Sequence, residues 1–213
     1  AIGGEEAALD RLEIVQDDSP FLVSSVMGEI AAQGFSVRAM FHPLLAVSRD
    51  RKGQRAADGT PRPESMIQVI LERVGADREP ALLGGLGEAL ADVRAAVGDF
   101  SAMLALLGRT IAELETTGPK TRVRAEDIAF LTWLQDEHFV LLGARVYEYP
   151  RLADGGYAAE EPLFQPQDGL GVLRDPERRV LRRANEPALL TPQLRRRLDL
   201  DPPVTVAKAN LRS

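Results

Sequence analysis

The chain contains no cysteine in 213 residues, which excludes disulfides, thiolate metal sites and cysteine nucleophiles. Histidine is nearly as scarce. His42 and His138 stand far apart with no carboxylate cluster at ligand spacing, so neither a metal centre nor a catalytic group is expected from them. Positive charge is in deficit, 26 Lys and Arg against 32 Asp and Glu, and the net charge of −6 gives no electrostatic reason to expect nucleic acid as a partner. No apolar run approaches the roughly 20 residues that cross a bilayer. The opening Ala1-Ile2-Gly3-Gly4-Glu5-Glu6 lacks the basic and apolar parts of a secretory signal. A cytoplasmic globular protein without a membrane partner is therefore expected, of one or two domains by length. The chain opens without Met and closes on the strand-like Val204-Thr205-Val206-Ala207, and so is expected to be a segment of something longer.

What is present reads as α+β. Leu12 to Val15 is rich in branched residues and forms a first strand, ended by Asp17-Asp18. A helix is expected from Asp18 or Ser19, either able to cap it, with Pro20 at the first helical position. Leu22, Val26 and Ile30 give its period and Gly34 its stop. Phe35 to Phe41 and Leu44 to Ser48 are extended and divided by Pro43, Arg49 to Pro63 is a loop, and Met66 to Val74 is another strand.

Leu83, Leu86, Leu90, Val93, Val97, Phe100, Leu104, Leu107, Ile111 and Leu114 then follow three and four residues apart, which predicts a long helical region with one apolar face. Gly98 and Gly108 favour packing on the domain's own sheet over a coiled coil, and Asp99 is placed to cap a second helix after a break. Thr117 to Thr121 reads as a linker, dividing the chain near residue 118. Beyond it come a helix over 125–137, an alternating strand at Val140, Leu142, Ala144 and Val146, and a short helix opened by Thr191-Pro192.

The turn between the first strand and the first helix is the leading site candidate. Free N–H groups at a helix N-terminus receive an anion such as an amino-acid carboxylate. Asp17, Asp18 and Ser19 stand ready to answer an ammonium group, with Phe21 beside them. The competing reading is that Asp18 or Ser19 only caps the helix. A nucleophile built from Ser19, His42 and Asp18 lacks a nucleophile elbow and is set aside. Gly84, Gly85 and Gly87 suggest a dinucleotide loop, but the third required glycine falls on Leu90, so no NAD site is expected here. Two arginine clusters, Arg178, Arg179, Arg182, Arg183 and Arg195, Arg196, Arg197, read first as a solvated face and second as a site for a phosphate or dicarboxylate. Phe130, Trp133 and Leu134 are expected in a core.

Five segments carry a family resemblance: Asp17-Asp18-Ser19-Pro20-Phe21-Leu22-Val23-Ser24-Ser25-Val26; His42-Pro43 with Arg49-Asp50; Glu64-Ser65-Met66-Ile67; Asp92 to Val97; and Phe130 to Leu134 leading to Phe139 to Gly143. In their order and spacing they resemble the N-terminal region of the large bacterial NAD-specific glutamate dehydrogenases. The resemblance implies an ACT-like regulatory domain over 1–118, a mostly antiparallel sheet covered by helices, and a β-rich PAS-like domain over 119–213. This chain departs from the βαββαβ order of ACT domains in offering no clear closing strand after the long helix. It also carries Ser24 where many members have an acidic residue.

The parent enzyme would convert glutamate, NAD and water to 2-oxoglutarate, ammonia and NADH. Its chemistry and its NAD would lie downstream, so this segment is expected to hold no catalytic residue and no cofactor. Its partners would be the remainder of the same polypeptide, further copies in a homo-oligomer, and an amino-acid or dicarboxylate effector bound at the Asp17 to Phe21 turn. A free-standing small-molecule sensor and a structural spacer without ligand are the alternatives.

Overall fold

The computed structural model describes residues 9–117, 120–158 and 168–175, together with Leu163, Leu190, Pro192, Arg195 and Val204. The chain divides into two compact units, Ala1–Arg94 and Ala95–Ser213.

The first unit is built on an antiparallel sheet whose central strand is β4 (Arg62–Glu72). β1 (Leu9–Asp17) pairs along one side of it in unbroken register, from Leu9 opposite Glu72 to Asp17 opposite Glu64. The other side is shared by β2 (Val37–Phe41) and β3 (Leu44–Val47), which pair with the second and first halves of β4. Pro43 has no N–H to give a ladder, and it separates the two where the edge bends. Because β1 and β2 are both antiparallel to β4 they run parallel to each other, and α1 (Leu22–Ala32) makes the crossover between them.

Residues alternate across a strand, and the face of β4 bearing Ser65, Ile67, Val69 and Leu71 is sealed, each at most 1% exposed. Leu22, Val26 and Ile30 of α1 complete this core with Leu82, Leu86, Ala89, Leu90 and Val93 of α2 (Glu79–Gly98), a helix whose residues up to Arg94 count with this unit. The expected apolar stripe is thus correct in period but begins at Leu82, and Leu83 is half exposed.

Gly34 ends α1 at φ +77°. Its N–H bonds Ala31 O and that of Phe35 bonds Ile30 O, the pattern of a Schellman cap, with Phe35 and Ile30 both buried. Gly84, Gly85 and Gly87 lie inside α2 rather than in a strand-to-helix turn, which removes the phosphate-loop geometry. Gly85 is where α1 comes close, and a Cβ there would stand 2.1 Å from Glu29 Oε1.

In the second unit α3 (Phe100–Thr116) and α4 (Arg122–Trp133) pack together, and α4 runs on into a π-helical turn, Leu134–His138. Thr121 caps α4 by accepting from Arg124 N–H, so the helix starts at Arg122, three residues earlier than expected from sequence. Arg124 in turn donates to the carbonyls of Leu114 and Thr117 at the end of α3. The alternating segment 140–146 forms a ladder only at β5 (Gly143–Ala144), which pairs with β6 (Leu170–Gly171). Trp133 is 42% exposed, stacked on His138 and edge-on to Phe139, so it is a surface group and not core as expected. The expected helix at Thr191 and, except for Arg195, the arginine clusters lie outside the described residues, as does the 118 to 119 junction of the linker.

Asp99 is the N-cap of α3, as its position predicts, but its carboxylate caps nothing. It accepts from Gly171 N–H at 2.7 Å and from Arg174 through both oxygens, holding β6 and the following turn to the start of α3. The Arg174 hydrogen bonds, with the Gly171 amide, hold the Asp99 carboxyl below its ordinary range. A depressed folded-state value means that the contribution is complete above the unfolded value and is lost as pH falls through the folded one. The thermal midpoint should therefore drop as pH falls below about 4. In Asp99→Asn the part of that drop due to this group should vanish, which a series of melts from pH 7 to 2 would read.

Candidate functional site

The β1–α1 turn does not fold as a capped helix start. Asp17 closes β1 opposite Glu64, and Asp18 N–H donates to Pro63 O at 2.9 Å, so the backbone follows β4 for one residue more. Asp18 is exposed, but its Oδ1 reaches the buried Ser65, whose Oγ donates to it at 2.5 Å. Pro20 and Phe21 form a turn, and α1 begins only at Leu22. Phe21 is the N-cap at φ +69°, a left-handed conformation that costs a bulky residue on the order of 1–3 kcal/mol. No side chain caps α1 and its first turn carries no acid, so the expectation of a cap from Asp18 or Ser19 is corrected. For Asp18 the competitor is the Ser65 hydroxyl, which holds its carboxylate, and for Ser19 the Pro20-Phe21 turn moves the N-cap two residues on, to Phe21.

Of the four residues expected to bind an effector, all lie in this one turn. Ser19 Oγ is shielded from solvent and meets no hydrogen-bond partner among the described residues. Phe21 is half exposed, and Asp17 and Asp18 are exposed apart from the contact to Ser65. Ser24, at the position noted for its lost acid, donates to Phe21 O at 3.0 Å and steadies the strained residue.

Ser65 connects three elements. It lies in β4, fully buried, between Asp18 after β1 and His42 in the bend after β2, with His42 Nε2 2.9 Å from Ser65 Oγ. A hydroxyl has one proton, and here it goes to the carboxylate. His42 Nε2 must therefore be the donor to Ser65 Oγ, which assigns its tautomer. This order, Asp–Ser–His with the serine in the middle, is the reverse of what nucleophilic catalysis requires, because the base would have to accept the serine's proton. The trio set aside from sequence is thus resolved. Asp18 and His42 do meet, through Ser65 instead of Ser19, and the meeting is structural.

Next to this hub Glu64, 4% exposed, receives the Arg49 guanidinium in a two-pronged pair, Nη2 to Oε2 at 2.6 Å and Nε to Oε1. Arg49 hydrogen bonding holds Glu64 below the usual carboxylate range and raises Arg49 in turn. Arg49 also donates to Gly53 O at 2.7 Å and so closes the loop after β3. Both Arg49 and Glu64 stood in the family segments, but nothing in the sequence linked them. Arg55 adds a second positive charge near Glu64, and Asp17 a further negative one near Arg49.

A split βαβ unit, antiparallel about a central strand and covered by two helices, defines the first unit as an ACT-like α+β domain. Residues 4–83 match the family model described as the glutamate dehydrogenase ACT1 domain. The NAD-specific glutamate dehydrogenase of Halomonas elongata is 38% identical over 64% of this chain and 9% of its own length. That of Pseudomonas aeruginosa is 30% identical over 80% of this chain and 11% of its own. The Mycobacterium tuberculosis enzyme is 29% identical over 76% and 10%. The resemblance to the N-terminal region of the NAD-specific glutamate dehydrogenase family is thus borne out across most of the chain. The chain spans about a tenth of the length of these relatives. Among the described residues no helix is long and apolar enough to cross a membrane.

Proposed function

We propose that this chain is a non-catalytic regulatory and assembly segment of an NAD-dependent glutamate dehydrogenase, and that it binds an amino-acid or dicarboxylate effector at the β1–α1 turn. In this reading residues 1–118 are the ACT-like regulatory module and 119–213 a second, PAS-like one. The parent reaction, oxidative deamination of glutamate with NAD, takes place elsewhere in the polypeptide, in a homo-oligomer of the cytoplasm. The segment acts by binding its effector better in one conformational state than in another.

The observation that carries the reading is the shielded Ser19 Oγ, without a partner among the described residues, set beside the uncapped N-terminus of α1. A buried polar atom left unpaired costs about 1–3 kcal/mol, and a ligand that satisfies it recovers that cost. An effector carboxylate fits the amides of α1, and its ammonium group fits Asp17 and the outer oxygen of Asp18. Phe21 covers the aliphatic part.

A thermal-shift panel of amino acids, 2-oxoglutarate, dicarboxylates and NAD tests it. At 100 times its dissociation constant a ligand adds about 2.7 kcal/mol to the folded state, a shift of several degrees. The expected result is a shift with an amino acid or dicarboxylate and none with NAD. Ser19→Ala removes no hydrogen bond to a described residue and relieves an unpaired hydroxyl, so it should melt no lower than the parent does and lose the shift. A shift that survives Ser19→Ala, or a panel without any shift, would sink the assignment of this turn.

A further inference from the structure

We propose that the β1–α1 turn is a two-state element hinged at Phe21. A hydrogen bond from Ser65 to Asp18 latches it in a strained form, and release of that latch lets Ser19 cap an α1 that starts two residues earlier, at Pro20. This is the turn assigned to an effector, but the switch rests on its backbone and goes beyond that reading.

Both ends of the turn are pinned. Asp18 N–H stays with β4 through Pro63 O at 2.9 Å, and the Asp18 carboxylate receives Ser65 Oγ at 2.5 Å. At the other end Leu22 begins α1 and is 1% exposed in the core. Ser19, Pro20 and Phe21 must turn the chain between these points. The proline ring holds its own φ at about −65° and keeps the residue before it extended, so neither Pro20 nor Ser19 has much freedom to give. Phe21 takes up the remainder at φ +69° and ψ 0°, a region that bulky residues rarely enter. Among the described residues no other non-glycine has a positive φ. Ser24 Oγ, donating to Phe21 O at 3.0 Å, steadies it there.

The same restraints define a relaxed alternative. An N-cap residue has extended backbone, which is the conformation Pro20 imposes on Ser19, and proline suits the first helical position. Turning Phe21 into the right-handed region therefore makes Ser19 the N-cap and brings Leu22 N–H within reach of Ser19 Oγ. In the structure that oxygen is shielded and meets no partner among the described residues, and the Phe21 carbonyl accepts from Ser25 N–H at 3.0 Å to open the helix. The relaxed helix adds bonds from Val23 N–H to Ser19 O and from Ser24 N–H to Pro20 O. Leu22, Val26 and Ile30 are anchored in the core, so the end of β1 is the part that moves, and Asp18 must leave Pro63 and Ser65. A segment that breaks its own local rule marks strain held from elsewhere, and the holder here is Ser65, 47 residues on. An anion on the free amides of α1 and the Ser19 cap exclude each other, so such a ligand draws the turn toward the strained form.

Amide exchange, read residue by residue by NMR on the 213-residue chain without ligand, tests the switch. Ser65→Ala removes the latch, and protection of the Val23 and Ser24 amides is expected to rise roughly tenfold as strain is released and the helix lengthens. The strong amide-to-Hα contact within Phe21 that marks a positive φ should weaken in the same variant. Asp18→Ala opens the latch from its other side and serves where Ser65→Ala folds poorly. Adding Ser19→Ala to either variant removes the cap and should lower the protection again by about fivefold. Adding Phe21→Gly instead lets the left-handed form stand without strain and should restore the fast exchange of the parent chain. Unchanged exchange in both release variants, protection that survives Ser19→Ala, or a Phe21 already right-handed in the parent chain would overturn the proposal. The effector reading is tested with ligand by thermal shift, so the failure of either leaves the other standing.

Discussion

Ile67→Ala should destabilise the first unit by about 2–5 kcal/mol, and Ile70→Ala, three residues along the same strand, by no more than about 1 kcal/mol. Ile67 is 1% exposed, stands opposite Ile14, and lies on the β4 face sealed by α1 and α2. Truncating it removes three carbons from a close-packed interior and leaves a void that β4 cannot collapse, because strands hold it on both sides. Ile70 has the same side chain and the same strand backbone, but it points to the other face and is half-buried. Domains of this size are stable by only about 5–15 kcal/mol, so the first substitution consumes a large share of the total and the second little. Urea unfolding of the two variants reads the difference as a shift in midpoint at constant slope. Equal midpoints would mean that the core lies elsewhere.

The same alternation explains how much of the fold was legible in the sequence. Leu22, Val26 and Ile30 announce α1, and Gly34 its end, because helix period and a left-handed cap are local properties. The break between α2 and α3 at Gly98-Asp99 was legible for the same reason. The start of α1 was not. Asp18 and Ser19 are good capping residues, but local propensity is worth about 1 kcal/mol and yields to a buried hydroxyl 47 residues away. Likewise the apolar stripe of α2 satisfies its period beginning from either Leu82 or Leu83, and only the placement of the sheet decides which one is buried. The strand expected over 140–146 depended on a partner that pairs only at Gly143 and Ala144, and periodicity carries no information about partners. Long-range polar links show the limit most plainly. Asp18, Ser65 and His42 come from three elements, Asp99 and Arg174 from segments 75 residues apart, and no spacing rule connects them.

Asp18 carries the second large effect, and its two conservative replacements should part company. Asp18→Ala leaves Ser65 Oγ, fully buried, without its acceptor, and it removes a hydrogen bond to a charged group, together about 1–3 kcal/mol. Some of that loss is recoverable, because the freed hydroxyl can donate to His42 Nε2 once the imidazole changes tautomer, and the cost should therefore rise further in Asp18→Ala with His42→Phe. Asp18→Asn keeps an oxygen where Ser65 donates and should melt close to the parent chain. The amide, however, removes the negative charge beside the uncapped end of α1. If the turn only organises β1, α1 and β4, stability is the sole quantity these changes move, and Asp18→Asn is silent. If the turn receives an ammonium group, Asp18→Asn folds normally and yet weakens the thermal shift by an amino-acid effector at least tenfold, the worth of one charged hydrogen bond. Titrating the melting temperature of the parent chain, Asp18→Asn and Ser19→Ala with the same amino acid separates the two, because a structural role predicts parallel curves for all three.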